Sequence, residues 1–231
     1  MKHMLETGVP THSSADSTQE RLLEAAGEVF AEKGFRDATI REICKRAGAN
    51  IASINYHFGG KERLYSDVLR YVDDATNERH PAKAPEFAGL AAEKRLELFI
   101  VQFMRKVFDS DRPAWHQRLM AREMVEPTFA LDELIDRNIK PRSIILQGIV
   151  RDILGPKATD QQVQRCAASV VGQCLFYWHC RPMIARLMPH LGYAPENVEA
   201  IAGHIHSFAL GGLSQARAAM GNLSAGSGGR P

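Results

Sequence analysis

Between Thr39 and Leu64 the chain reads TIREICKRAGANIASINYHFGGKERL, and the side chains that can act on a ligand lie close together there. Asn50 and Asn55 carry amides, which can pair bidentately with adenine in a DNA major groove. Thr39, Ser53 and Tyr56 carry hydroxyls, and Arg41 and Lys61 carry cations, the groups that hold phosphate oxygens. Ala49, Ala52, Ser53, Asn55, Tyr56 and His57 form an outward set of small, amide and aromatic residues. That set holds no carboxylate, which would repel phosphates. Gly59-Gly60-Lys61-Glu62 then opens a helix whose free amides suit an anion, with the Lys61 charge beside them. Bond-making chemistry has no such support. HExxH, GxSxG, a P-loop and a dinucleotide fingerprint are all missing. His204 and His206 are two residues apart, the wrong interval for one face of a helix. No catalytic residue, metal or cofactor is expected.

Local signals place these groups on two short helices. Thr39-Ile40-Arg41-Glu42 is a capping box, in which the hydroxyl takes the amide of Glu42 and Glu42 reaches back to Thr39. Ile40, Ile43, Cys44 and Ala47 follow on one face. Gly48 suits the left-handed residue that ends a helix. Asn50 caps the next helix, with Ile51, Ile54 and Phe58 turned inward. Two short helices around a glycine turn have the outline of a helix-turn-helix, whose second helix enters the major groove. Small helical proteins contain similar turns, so the outline alone is weak.

The longer pattern is more specific. Ala25-Ala26, Phe30, Lys33-Gly34-Phe35, Ala38 to Ile43, Ala47-Gly48, Asn55-Tyr56-His57-Phe58 and Lys61 to Leu64 resemble the N-terminal domain of the TetR/AcrR family of bacterial transcriptional regulators. The resemblance spans residues 17–69. It departs at Gly59-Gly60, where the family more often has a small polar residue before the lysine. It implies that Thr39, Arg41, Tyr56 and Lys61 hold phosphates. It also implies that Ala49, Asn50, Ser53 and Asn55 face the groove, with His57 near its edge. Tyr56 has a competing use in packing on the first helix, and His57 one as a plain surface residue.

The 231 residues suffice for one large or two smaller domains, and 45% hydrophobic content supports a core. Net charge is only +2, so the whole chain is not a basic binder. From Lys33 to Arg63, however, seven basic residues (Lys33, Arg36, Arg41, Lys45, Arg46, Lys61, Arg63) face three acidic ones (Asp37, Glu42, Glu62). A local surplus of this kind fits phosphate contact at one end of the molecule. The four cysteines, Cys44, Cys166, Cys174 and Cys180, form no CxxC motif and read as reduced thiols. Residues 1–16 are polar and broken by Pro10, and no apolar run approaches the roughly 20 residues of a membrane span. A cytoplasmic protein is expected.

Four segments follow: a flexible arm at 1–16, a DNA-binding domain at 17–80, a helical ligand-binding and dimerisation domain at 81–220, and a disordered tail at 221–231. Ser17-Thr18-Gln19-Glu20 starts the first helix, and His80-Pro81 to Pro85 breaks the chain between domains. Beyond it the period stays helical. Pro141 kinks or splits one helix, Thr159 to Gln162 caps another, Pro182 bends or stops that one, and Pro195 opens the last. The fold expected is all-α, with about nine to ten helices.

Leu119 to Glu123, Pro127-Thr128 and Ile139-Lys140-Pro141 resemble the CecR-type subgroup of TetR regulators over residues 90–220. That implies a C-terminal domain for dimerisation and inducer binding. Small and apolar residues (Ala167, Ala168, Val171, Ala209, Gly211, Gly212, Leu213) are candidates for the dimer contact. Phe103, Trp115, His116, Arg122, Phe129, Phe176, Trp178, His179 and Arg181 are candidates to line a pocket. The partners implied are double-stranded operator DNA, a second copy of the chain and an unidentified small-molecule inducer. Repression is the family's majority behaviour. A DNA-binding regulator without a ligand, or a helical enzyme or carrier, are the competing readings.

Overall fold

The computed structural model describes residues 14–81 and 87–226. It is all-helical there, with no strand among the described residues. The helices are α1 (Ser14–Asp37), α2 (Ile40–Ala47), α3 (Ile51–Phe58), α4 (Lys61–Arg79), α5 (Ala92–Val107), α6 (Ala114–Val125), α7 (Leu131–Leu134), α8 (Lys140–Leu154), α9 (Asp160–His179), α10 (Arg181–Leu187) and α11 (Pro195–Gly226). A π-helical turn, Ile135–Ile139, joins α7 to α8. Pro141, at the start of α8, explains it: proline donates no amide proton, and its ring crowds the preceding turn, which widens.

The helix ends follow local chemistry. Gly34 takes φ 78° and ψ 172°, which breaks α1 before its last residues. Thr159 and Gln162 form a complete capping box, the Gln162 amide lying 3.3 Å from the Thr159 hydroxyl and the Thr159 amide 2.9 Å from the Gln162 side-chain oxygen. α1 starts at Ser14, one turn ahead of the capping box expected at Ser17. α11 runs on to Gly226, through the first half of the expected tail. The rest of the expected arm (1–13), most of the break at 82–86 and the tail end (227–231) lie outside the described residues.

Two compact units emerge. The first comprises the described residues up to Asp74 together with Pro113–Asp132. Its core is Leu22, Ala26, Val29, Phe30, Ile43, Ile54, Leu64, Tyr65 and Val68, joined by Trp115 and Leu119 of α6. The second comprises Ala75–Arg112 and the described residues from Glu133 onward. Leu96, Ile100 and Met104 of α5 pack there with Leu146, Ile149 and Val150 of α8, Val163, Val170 and Cys174 of α9, and Ile201 and Ile205 of α11. The units therefore do not divide at residue 80. The division falls inside α4, between Asp74 and Ala75, and α6 belongs with the N-terminal helices because its apolar face fits their core.

Candidate nucleic-acid interface

The interface is built on α2, the turn, α3 and the start of α4. The Thr39 oxygen accepts from the Glu42 amide at 3.2 Å, which caps α2 and leaves the hydroxyl proton free to donate. Glu42 does not close the expected box. Its carboxylate goes to Lys33, 2.7 Å away, because a full charge outcompetes a backbone amide. Gly48 ends α2 at φ 62° and ψ 37°, a left-handed position that glycine takes without strain. Gly59 does the same for α3 at φ 73°.

On α3, Ile54 and Phe58 are buried and anchor the helix to the core. Ile51, expected inward, is 51% exposed, since the first residue of α3 overhangs the end of the core. The outward face carries Ala52, Asn55 and Tyr56, with Ser53 and His57 half-buried. Tyr56 is 84% exposed, so packing on the first helix does not account for it. Its ring meets the edge of His57, with centroids 4.9 Å apart. Ala49 is partly buried against the core.

Asn50 does its work at the helix end. Its side-chain oxygen accepts from the Ser53 amide at 2.9 Å and from the Ser53 hydroxyl at 3.1 Å. An amide oxygen has two lone pairs, and both are committed here, whereas bidentate pairing with adenine needs that oxygen free. Asn55, exposed one turn on, carries no such commitment to the cap.

The basic surplus is smaller in space than along the chain. Arg46 forms a bidentate pair with Glu32, both contacts 2.9 Å, and approaches Glu28 at 3.4 Å. The Arg46 hydrogen bond holds the Glu32 carboxyl below its ordinary range. Lys33 is paired with Glu42. The exposed cations Arg36, Arg41, Lys45 and Arg63 remain, with half-buried Lys61 at the start of α4. Lys61 donates to the Arg36 carbonyl at 3.1 Å and sits 4.7 Å from the Phe35 ring centre, which leaves ammonium protons for an anion. An open groove of about 510 Å³ beside α1 is lined by Glu20, Glu24, Glu28, Arg21, Arg46, Ala25 and Ala47, and its carboxylates suit no phosphate.

α6 and α4 brace this unit. Glu123 is fully buried and accepts from the Tyr65 hydroxyl at 2.6 Å and from the Thr128 amide and hydroxyl, both at 2.9 Å. Three donors offset the cost of burying a carboxylate. Glu24 accepts from Tyr71 at 2.7 Å and from the Trp115 indole at 3.1 Å. Burial, then the Glu24 bond, pushes the Tyr71 phenol up to about 12. In the second unit the last turn of α4 is held separately. Arg112 donates to Thr76 at 2.7 Å, and Arg142 to Asn77 at 2.8 Å and the His80 carbonyl at 3.0 Å.

The nine pocket candidates do not form one set. Trp115, His116, Arg122 and Phe129 lie in the first unit: Trp115 and His116 are buried, and Phe129 is 53% exposed, edge-on to Phe35. The other five lie in the second unit. Phe103 stacks on Phe99, Phe176 is exposed, His179 meets the edge of Trp178, and Arg181 lies over Phe108 and Tyr193. The sequence reading missed Phe108 and Tyr193, which no spacing along the chain connects with Arg181. Of the small-residue candidates, Ala167, Ala209 and Leu213 are buried in the chain's own core, while Ala168, Gly211 and Gly212 are exposed. No helix among the described residues is long and apolar enough to cross a membrane.

Comparison with known proteins agrees with this architecture. Residues 22–68 match the bacterial regulatory proteins of the tetR family, and residues 92–213 match the C-terminal domain of the HTH-type transcriptional dual regulator CecR. The chain belongs to the TetR family of transcriptional regulators, and is therefore not an enzyme. Within that family it is similar to CecR of Shigella flexneri, with 29% identity over 170 residues that cover 70% of this chain and 76% of CecR. It is also similar to the transcriptional repressor KstR2 of Mycobacterium tuberculosis, with 29% identity over 145 residues, 61% of this chain and 71% of that protein. A TetR-like transcriptional regulator from Rhodococcus sp. RHA1 shares the fold, with TM-score 0.58 and 19% identity over 85% of this chain and 96% of that one.

Proposed function

We propose that the chain is a ligand-responsive repressor that binds a roughly palindromic operator as a dimer and leaves it when a small molecule binds the second unit. The observation that carries the DNA half is the carboxylate-free outer face of α3, with Asn55 and Tyr56 exposed on a helix capped at both ends. Thr39, Arg41, Tyr56 and Lys61 hold phosphates. Asn55 reads a base edge, with Ala49, Asn50, Ser53 and His57 lining the approach. One eight-residue helix makes few contacts, so two copies related by a two-fold axis are needed.

The dimer contact supported best is the outer face of α11. Gly203, Ser207, Gly211 and Gly212 are exposed there beside Phe208, 68% exposed, and the three glycines face open space. KstR2 is a transcriptional repressor, while CecR is a transcriptional dual regulator. A ligand shifts the operator equilibrium only through its differential affinity for the two states. α4, held by Tyr65 and Tyr71 in one unit and by Thr76 and Asn77 in the other, is the route of coupling.

The test is fluorescence anisotropy with DNA from immediately upstream of the chain's own gene, at two salt concentrations, with light scattering for oligomeric state. Two or more protomers per site, salt-sensitive binding, and its loss in Tyr56→Ala are expected. Lys61→Ala should flatten the salt slope by about one. Binding no tighter than to random DNA, for this and for fragments selected from the genome, would refute the reading.

A further inference from the structure

One corner of the second unit is a set of groups that the DNA-binding reading does not use. The rings of Phe108, at the end of α5, and Tyr193, ahead of α11, stack within 11° of parallel at 5.1 Å. The Arg181 guanidinium lies over both, 4.8 Å from one ring centre and 5.3 Å from the other. Arg181 is half-buried and meets no carboxylate among the described residues. The Tyr193 hydroxyl is shut away from solvent without a hydrogen-bond partner. Buried polar atoms are ordinarily satisfied, so this donor stands out.

We propose that Arg181, Tyr193 and Phe108 form the effector site, and that its ligand is a flat aromatic carboxylate. The proposal rests on the ligand-responsive reading and names the class of ligand. A guanidinium held by ring faces alone gains most from an anion that can take two of its parallel N–H groups. The phenol supplies a third donor to the same carboxylate. Burial pushes the Tyr193 phenol above its ordinary range, so it stays protonated and keeps that proton to give. Ring contacts leave the Arg181 side chain free to turn, which opens the hydroxyl to the carboxylate end of a ligand. The ligand's ring then continues the stack begun by Phe108 and Tyr193. A quaternary ammonium is disfavoured, because it would meet the Arg181 charge.

Isothermal titration calorimetry on the full chain without DNA tests the site, using 2-naphthoate and benzoate as probes. 2-Naphthamide and benzyltrimethylammonium serve as the uncharged and cationic controls. Saturable binding of 2-naphthoate is expected, with 2-naphthamide at least about tenfold weaker, as loss of a charge-assisted pair implies. Arg181→Gln should weaken 2-naphthoate about tenfold and Arg181→Lys by less, since the charge remains while the fork is lost. Tyr193→Phe should weaken it severalfold with an unchanged melting temperature, because the removed hydroxyl has no partner to lose. Equal affinity for naphthoate and naphthamide, unchanged affinity in folded Arg181→Gln, or no binding of either carboxylate at millimolar concentration would overturn the proposal. The operator assay is read separately. Naphthoate that binds here yet leaves operator affinity unchanged overturns the effector role alone, whereas a functioning site in a chain that binds no operator overturns the repressor reading instead.

Discussion

Gly27 sits in the middle of α1, where general helix physics and this particular fold make opposite demands. Glycine in a helix interior is about 1 kcal/mol worse than alanine, so Gly27→Ala should stabilise a free helix. In this chain a Cβ at residue 27 would lie 2.1, 2.3 and 2.6 Å from three ring atoms of Trp115. The indole cannot yield like a flexible side-chain tip, because it is buried and its Nε1 donates to Glu24 at 3.1 Å. Inserting a methyl into a packed core costs about 1–3 kcal/mol, and a rigid obstacle puts this site at the upper end. Net of the helix gain, a loss of about 1–2 kcal/mol follows. At about 2–4 °C per kcal/mol for a chain of this size, the melting temperature should fall by about 2–8 °C. Thermal and urea unfolding would measure it. In a Trp115→Leu background the obstacle is gone, so the same Gly27→Ala change should turn neutral or stabilising. A stabilised single mutant, or the same loss in both backgrounds, would refute the close approach of α1 and α6.

Three further outcomes follow from the site geometry. Asn50→Ala should cost about 1 kcal/mol of stability while Asn50→Ser restores most of it, as expected of a cap; Asn55→Ala should leave stability alone and relax operator preference at one base pair by about 1–3 kcal/mol, measured with single-base operator variants. Glu123→Gln should destabilise by about 1–3 kcal/mol in urea melts, because an amide cannot accept from Tyr65 and twice from Thr128 with both of its ends. Cys174, whose thiol burial pushes up to about 12, is only about one part in ten thousand thiolate at pH 8, so iodoacetamide should spare it in the native protein and reach it on unfolding, with half-buried Cys180 modified earlier. Rapid native-state labelling of Cys174 would contradict its burial.

What the sequence made legible, and what it did not, divides along the distance over which the signal acts. The Thr39 cap, the Gly48 and Gly59 turns, the Thr159 box and the prolines at 141, 182 and 195 act within four residues, and each helix boundary they imply is present. Helical periodicity supplied the all-α class, the proline-bounded break after His80 suggested two parts, and the family resemblance implied what each part does. The failures are nonlocal. A linear charge count treats Lys33 and Arg46 as free, but their carboxylate partners lie 9 residues on and 14 to 18 residues back. Hydrophobic periodicity says that α6 buries a face, but not which core receives it; only the space beside Gly27 decides that Trp115 joins the N-terminal helices. The same limit hid the Arg181 corner, since Phe108 and Tyr193 stand far from it on either side in the chain and each, taken alone, reads as ordinary core. The candidate phosphate-holding groups, gathered between Thr39 and Lys61, are therefore what one segment can announce. The Arg181 corner is drawn from the ends of several helices, and it becomes visible only in space, where a cation that meets no carboxylate among the described residues lies over the ring of a tyrosine whose buried hydroxyl has no hydrogen-bond partner there.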